Sequence, residues 1–138
     1  MIQLMLTDLA AEARALRDLL SNHGGNLRHI RERLEAVPAA ALLVDDAGHY
    51  VAVNRRACEL TGYTREELLA RSIPDLTSPE ELAAQERLWR SFERTQHQSG
   101  KYRIVGKDGA QVEVAYDAFW DIIPGIHASF LRTIRLAD

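Results

Sequence analysis

The stretch over residues 41–63, ALLVDDAGHYVAVNRRACELTGY, constrains the fold of this chain more than any other segment. Residues 42–44 and 50–53 are short runs of apolar, β-favouring side chains, and the Asp-Asp-Ala-Gly segment between them has the chemistry of a turn. The pattern therefore predicts a β-hairpin of two short antiparallel strands.

A short helix is predicted directly after this hairpin. Asn54 can accept hydrogen bonds from the backbone N–H groups of a first helical turn. Gly62 suits the left-handed conformation in which many helices end. The expected helix therefore covers roughly residues 55–61.

Two further helix starts have the pattern of a capping box, in which a hydroxyl residue is followed three residues later by a carboxylate. They are Thr64 with Glu67 and Ser78 with Glu81, and Pro79 adds the proline preferred in a first turn. The second start predicts the longest helix of the domain, over about residues 79–96. Its apolar side chains recur near the helical period on one broad face: Leu82, Ala84, Leu88, Trp89 and Phe92.

After Gly100 the apolar period changes from 3.6 to 2, which is typical of strands. The Lys-Asp-Gly segment at 107–109 predicts a hairpin turn between two of these strands, and Pro-Gly at 124–125 leads into a last strand over residues 126–136. The order of two strands, three helices and three strands predicts an α+β domain. Its single antiparallel sheet would have helices covering its inner face.

The hairpin and helix at 41–63, the GKDG at 106–109 and the closing run FLRTIRL at 130–136 together resemble a PAS domain. The resemblance covers about residues 34–136. It implies the PAS fold, with a five-stranded antiparallel sheet in the spatial order 2-1-5-4-3 and helices on one face. An N-terminal helical segment is expected before this fold. The resemblance also implies sensing and relay rather than catalysis. The predicted organisation is a helical dimerisation segment at 1–36 and a PAS domain at 37–138.

Composition limits the classes of partner. A chain of 138 residues with 46% hydrophobic residues can bury one core and has no room for a second domain of ordinary size. The net charge of −3 gives no electrostatic footprint for nucleic acid or an anionic membrane. The longest apolar run, at 36–44, contains Pro38 and is too short to cross a bilayer. With no secretory signal and one cysteine, we expect a cytoplasmic protein.

The N-terminal segment has the apolar spacing of a coiled coil, with steps that alternate between four and three residues. Gly24 and Gly25 interrupt it, so we expect two helices, over about residues 7–22 and 27–36. One reading is a homodimer held by a stripe of leucine and isoleucine side chains: Leu9, Leu16, Leu20, Leu27, Ile30 and Leu34. The other reading is that the stripe packs on the sheet of its own chain.

No cofactor or metal site is predicted. The PAS flavoproteins that sense light have a reactive cysteine in a motif whose counterpart here, residues 70–76, has none, and Cys58 is expected to be a small buried hydrophobe. Haem-binding relatives place a histidine on the long helix, but His97 is expected at the solvated end of that helix. The remaining histidines lack metal-ligand spacing. Trp89 and Trp120 could flank a planar cofactor, although core packing is the favoured reading.

A pocket for an unidentified small ligand is predicted between the long helix and the sheet. Its candidate lining residues are Leu82, Trp89, Phe92, Tyr102, Ile104, Tyr116 and Phe130. The resemblance implies a downstream kinase, cyclase or transcription factor as partner. The alternative is a purely structural dimerisation module with a filled core.

The third class of function considered is an enzyme, and we expect no catalytic activity. Asp117 beside Tyr116, or Asp45 with Asp46, are the candidate acid–base pairs. Adjacent strand residues point to opposite faces, and turn aspartates serve the turn.

Overall fold

The computed structural model describes residues 10–18 and 27–134 of the chain. Helix α1 covers residues 10–18. The other elements follow in chain order: α2 (Leu27–Glu35), β1 (Ala40–Val44), β2 (Tyr50–Val53), α3 (Arg55–Thr61), α4 (Arg65–Leu69), a 3-10 helix (Ile73–Leu76), α5 (Pro79–Leu82), α6 (Gln85–Thr95), β3 (His97–Val105), β4 (Gln111–Ile123) and β5 (Ile126–Thr133).

The five strands form one antiparallel sheet in the order β2-β1-β5-β4-β3. This confirms the predicted fold class and the strand order that the resemblance implied. The central pairing places Leu43 of β1 beside Ala52 of β2 on one side and Ala128 of β5 on the other. The first and last strands of the domain therefore lie side by side in the middle of the sheet.

Asn54 forms the junction between the sheet and the first helices, and its predicted role as an N-cap is confirmed. Its side-chain oxygen accepts from the backbone N–H of Ala57 and of Ala41, each at 3.0 Å. Its amide nitrogen donates to the carbonyls of Leu34 and Ala39, each at 2.9 Å. A single buried amide thus joins the C-terminal end of α2, the start of β1 and the first turn of α3.

The helix starts are partly as predicted. Thr64 and Glu67 form the expected capping box at α4. Ser78 makes no side-chain capping bond, and its buried hydroxyl has no hydrogen-bond partner among the described residues. The single helix expected over 79–96 is also wrong, because a turn at Ala83 and Ala84 separates α5 from α6. Without a side-chain cap, the helix start at 78 holds only one turn.

Helices α3–α6 cover one face of the sheet, as predicted, and the N-terminal helices α1 and α2 cover the other, which gives β1 its fully buried pattern. Ala40, Leu42 and Val44 face α3–α6 together with Val53 and Leu68. The residues between them face outward and pack with α1 and α2: Ala41 and Leu43, with Phe130, Leu16, Ile30 and Leu34. The alternation along β1 therefore divides the core into an inner cluster and an outer cluster.

Helices α1 and α2 are tied to each other and to the sheet. Arg33 of α2 forms an ion pair with Glu12 of α1. Arg17 of α1 donates from Nε to the carbonyl of Ile122 in β4 at 3.3 Å. The N-terminal segment is thus a third layer of the domain in the part of the chain that the structure describes.

Candidate functional site

A cavity of about 120 Å³ lies between α6 and the inner face of the sheet. Its apolar wall includes Leu42, Val44, Leu76, Leu88 and Leu131, and aromatic side chains line it on the helix side and along β3 and β4. The lining combines large aromatic side chains with small residues on the strands. Ala118 and Ser129 are the small residues at its floor.

The predicted pocket residues fall into two groups. Trp89, Phe92, Tyr102, Ile104 and Tyr116 line the cavity. Leu82 is 46% exposed and lies outside the lining, because it ends α5 just before the chain turns. Phe130 is buried on the opposite face of the sheet, in the outer cluster with Leu16 and Leu34. Residues 129 and 131 of β5 face the cavity, and adjacent residues of a strand face opposite sides of the sheet. The assignment of Phe130 to this pocket is therefore wrong by one position.

The cavity has a polar end that the sequence reading missed. Gln85 donates to the hydroxyls of Thr77 and Tyr102, at 2.9 and 3.3 Å. Gln98 donates to the hydroxyl of Tyr116 at 3.0 Å. From the apolar periodicity alone, both glutamines would be assigned to the surface. Only the alternation of inward- and outward-facing residues along β3 could have identified Gln98 as a lining residue.

Three tyrosines in the lining are neutral groups. Burial raises the pKa of Tyr50 well above its usual range, and burial also raises the pKa values of Tyr102 and Tyr116. Each hydroxyl therefore keeps its proton at neutral pH and can both donate and accept a hydrogen bond.

The two tryptophans pack against each other rather than flanking a slot. Trp89 and Trp120 meet edge to face, with ring centroids 5.2 Å apart. A ring inserted between two parallel rings needs roughly 7 Å, twice the van der Waals contact distance. Trp120 also stacks on His127, at a centroid distance of 3.6 Å. The pair is therefore part of the core, and it leaves no room for a planar cofactor between the two rings.

His127 is fully buried and is held at both ring nitrogens. The backbone N–H of Asp121 donates to Nδ1 at 2.9 Å, and Nε2 lies 2.9 Å from Asp46 Oδ1. Because Nδ1 accepts from this N–H, a ring proton lies on Nε2 and is donated to Asp46. This joins the β4–β5 corner, where Asp121 has a left-handed φ of 48°, to the turn between β1 and β2.

The same three side chains offer metal-ligand atoms within 4.8 Å of one another. A metal ion on Nε2 of His127 would move the ring proton to Nδ1, where it would face the N–H of Asp121. The hydrogen bonds therefore explain the cluster better than a metal site does. Sequence spacing could not bring Asp46 next to His127, because they come from opposite ends of the domain.

His97 is placed differently from the prediction. It opens β3 rather than ending the long helix, since Gln96 has a left-handed φ of 69° that stops the helix. Its Nε2 contacts the carboxylate of the buried Asp117, to which Ser99 also donates at 2.8 Å. Ser99 and Asp117 both approach the same ring nitrogen. A nucleophilic relay needs the base and the acid partner on opposite nitrogens, so this trio does not form one.

Cys58 has no features of a reactive thiol. Burial raises its pKa, because the surroundings favour the neutral form. The side chain is half-buried beside the inner cluster, slightly more exposed than the sequence predicted.

The stripe proposed as a dimer interface is partly inside the fold. Leu16 and Leu34 are fully buried and Ile30 is 9% exposed, all three within the outer cluster of their own chain. For these three side chains the structure therefore agrees with the second reading, in which the stripe packs on the sheet of its own chain. Leu9 and Leu20 lie outside the described residues, as does the side chain of Leu27. A dimer through the stripe stays a prediction.

Comparison with known proteins identifies the fold. The family model described as the PAS fold matches residues 28–118. No curated protein matches the chain. A domain of the sensory box sensor histidine kinase/response regulator from Geobacter sulfurreducens is 22% identical, with a TM-score of 0.67 over 82% of this chain and 98% of its own.

Two other solved structures are similar at lower identity. A PAS domain from a two-component sensor histidine kinase is 19% identical, with a TM-score of 0.67 over 78% of this chain and 96% of its own. The PAS domain of a LuxR-family transcriptional regulator from Burkholderia thailandensis, in complex with ethanol, is 14% identical, with a TM-score of 0.63 over 75% of this chain and 95% of its own. In the described residues, no helix has the length and apolar character needed to cross a membrane.

Proposed function

This chain belongs to the PAS family, and on that premise we propose that it is a sensory domain whose cavity binds a small molecule. The observation that carries the proposal is the mostly apolar cavity of about 120 Å³ between α6 and the sheet, with a few convergent polar groups at one end. Such a combination is the usual form of a small-molecule site. The PAS domain from Burkholderia thailandensis, which has the same fold, was solved in complex with ethanol, a neutral small molecule.

The sheet supplies a route from the cavity to the N-terminal helices. Leu42 and Ser129 face the cavity, whereas their strand neighbours Leu43 and Phe130 face α1 and α2. A ligand that moves β1 or β5 therefore acts on both layers, because a packed core passes small displacements on rather than absorbing them.

The N-terminal helices are the proposed output. We expect them to act on a second copy of the chain or on a kinase, cyclase or transcription factor in the cytoplasm. Sensor histidine kinases and a transcriptional regulator contain similar domains. On this proposal the chain is a regulator and performs no catalysis of its own.

The test is a survey of neutral and charged fragments by ligand-observed NMR, on the full chain and on a variant with a filled cavity. Ala118→Leu adds a larger side chain at the floor of the cavity, and Ser129→Leu does the same from β5. We expect fragments that bind the wild type and are lost in both variants. If the wild type and the filled variants bind the same fragments, or none, the domain is a structural dimerisation module instead.

A further inference from the structure

The polar end of the cavity has a defined set of unused hydrogen-bonding groups. Thr77 donates its hydroxyl proton to the carbonyl of Ile73 at 2.7 Å. Thr77 Oγ1 lies 2.5 Å from the hydroxyl of Tyr102, so Tyr102 must be the donor in that contact. The proton of Tyr102 is therefore already used.

Tyr116 is in the opposite position. Its hydroxyl oxygen accepts from Gln98 at 3.0 Å, and its own O–H has no acceptor among the described residues. The side-chain oxygens of Gln85 and Gln98 likewise receive no hydrogen bond from the part of the chain that the structure describes. The hydroxyl donor of Tyr116 and these two amide acceptors thus remain for a ligand at this end of the cavity. The lining also contains the hydroxyls of Tyr50 and Ser129, which make no side-chain hydrogen bond among the described residues.

The electrostatics of the wall exclude charged ligands. Of the described residues that line the cavity, none is an aspartate, glutamate, lysine or arginine. His127 is the one imidazole there, and its two nitrogens are already turned to Asp46 and the N–H of Asp121. A carboxylate or an ammonium group inside would lose its water without gaining a counter-charge.

The size of the cavity suits a ligand of about one ring. Benzene occupies a cavity of about 150 Å³ lined by leucine, isoleucine and phenylalanine side chains. The present cavity, at about 120 Å³, is slightly smaller and has aromatic walls at Trp89, Phe92 and Tyr102. Flat rings pack well against such walls, edge to face or offset.

We propose that the cavity binds a neutral, phenol-like molecule, with one six-membered ring among the aromatic side chains and one hydroxyl group at the polar end. This rests on the proposed sensory function. The ligand hydroxyl accepts from the O–H of Tyr116 and donates to a side-chain oxygen of Gln98 or Gln85. The ring packs against Trp89 and Phe92.

The test compares phenol, toluene and benzoate by isothermal titration calorimetry on the full chain. All three share the ring, toluene lacks the hydrogen-bonding group and benzoate bears a charge. We expect phenol to bind at least about tenfold more tightly than toluene, since one well-placed hydrogen bond is worth about that factor. Benzoate should bind at least about a hundredfold more weakly than phenol.

Tyr116→Phe should weaken phenol binding by about tenfold and leave toluene binding unchanged. Gln98→Ala gives a second, independent variant of the same end, and a thermal unfolding curve checks that each variant is folded. Benzoate binding as tight as phenol binding, equal loss of all three probes in Tyr116→Phe, or no binding of phenol to the wild type would overturn the phenol-like ligand. The sensory function itself is judged separately by the fragment survey on the filled variants.

Discussion

Asn54 is the residue on which most of the architecture depends. It is fully buried, and its amide makes four hydrogen bonds to α2, β1 and α3. Asn54→Ala leaves two buried N–H and two buried carbonyl groups without this partner, so we expect the free energy of unfolding to fall by roughly 3–5 kcal/mol. Urea denaturation measures the loss.

The matched control is Gln111→Ala, which removes an exposed amide and should change stability by less than about 0.5 kcal/mol. Asn54→Asp is the sharper variant, because it keeps the shape but places a carboxylate oxygen against the carbonyls of Leu34 and Ala39. It should destabilise at least as much as Asn54→Ala. A milder effect of Asn54→Asp would mean that the two donated hydrogen bonds contribute little.

Trp89 connects the cavity to the core. It is half-buried and meets Phe92, Trp120 and His127 edge to face. Trp89→Ala should lower the free energy of unfolding by about 2–4 kcal/mol, somewhat less than for a fully buried tryptophan. Leu82→Ala is the exposed control on the preceding helix, and thermal denaturation compares the two. Equal effects would place Trp89 on the surface.

At the residue scale, the sequence predicted the roles of side chains that act on their neighbours along the chain. It did not predict contacts between residues that are distant in sequence. Asn54 was predicted because capping needs only its neighbours. The contact of His127 with Asp46 was not, since it depends on the sheet bringing β5 beside β1. Leu82 and Phe130 were assigned to the pocket from periodicity alone. Periodicity does not show the helix break after Leu82, and it does not show which face of the sheet Phe130 occupies.

At the scale of elements, Glu67 ties α4 to the β3–β4 hairpin. Its carboxylate accepts from Lys107 Nζ at 2.7 Å and from the backbone N–H of Thr64 at 2.9 Å. The hydrogen bond from Lys107 and that from Thr64 lower its pKa from about 4.5 to about 2. A depressed folded-state pKa stabilises the fold above the unfolded value and loses that contribution as the pH falls through the folded value.

The stability gap between the wild type and Glu67→Gln should therefore be full above about pH 4.5 and should close toward pH 2. Urea midpoints of the two proteins across that range measure it, since other titrating groups cancel in the difference. In a Lys107→Met background the gap should vary less with pH, because the largest cause of the shift is gone. A gap that is constant from pH 5 to pH 2 would show that the contact is absent in solution.

Helices α1 and α2 pack on the sheet of their own chain through the outer cluster. Leu16 is fully buried there, so Leu16→Ala should lower the free energy of unfolding by roughly 2–4 kcal/mol. Arg14→Ala, on the exposed side of α1, is the matched control. The loss should be the same at low and high protein concentration. A loss that shrinks on dilution would mean that a partner chain, not this sheet, covers Leu16.

The apolar spacing of the N-terminal segment correctly predicted helix for residues 10–18 and 27–35, and it left two readings of their packing open. A stripe with steps of three and four residues fits a partner helix and a sheet face equally well. Only the outward positions of β1 and β5, at Leu43 and Phe130, show that the sheet offers such a face. In the sequence, the signal of a second covered face was that β1, Ala40–Val44, is apolar at every position, because a strand with one exposed face alternates apolar and polar residues.

At the scale of the whole molecule, one sheet separates a ligand-sized cavity from the helices that form the proposed output. The inner and outer clusters share β1 and β5, whose side chains alternate between the two. Occupancy of the cavity should therefore change the stability of α2, although no ligand atom would reach it. A domain with a filled, purely structural core has no such coupling.

Hydrogen exchange measured by mass spectrometry on the full chain, with and without the tightest-binding fragment of the survey, tests this coupling directly. We expect altered exchange both in α6 and β4, at the cavity, and in residues 27–35 of α2, with no change in Ala118→Leu. Exchange that changes only around the cavity, or that does not change at all, would contradict a sensory domain that signals through its N-terminal helices.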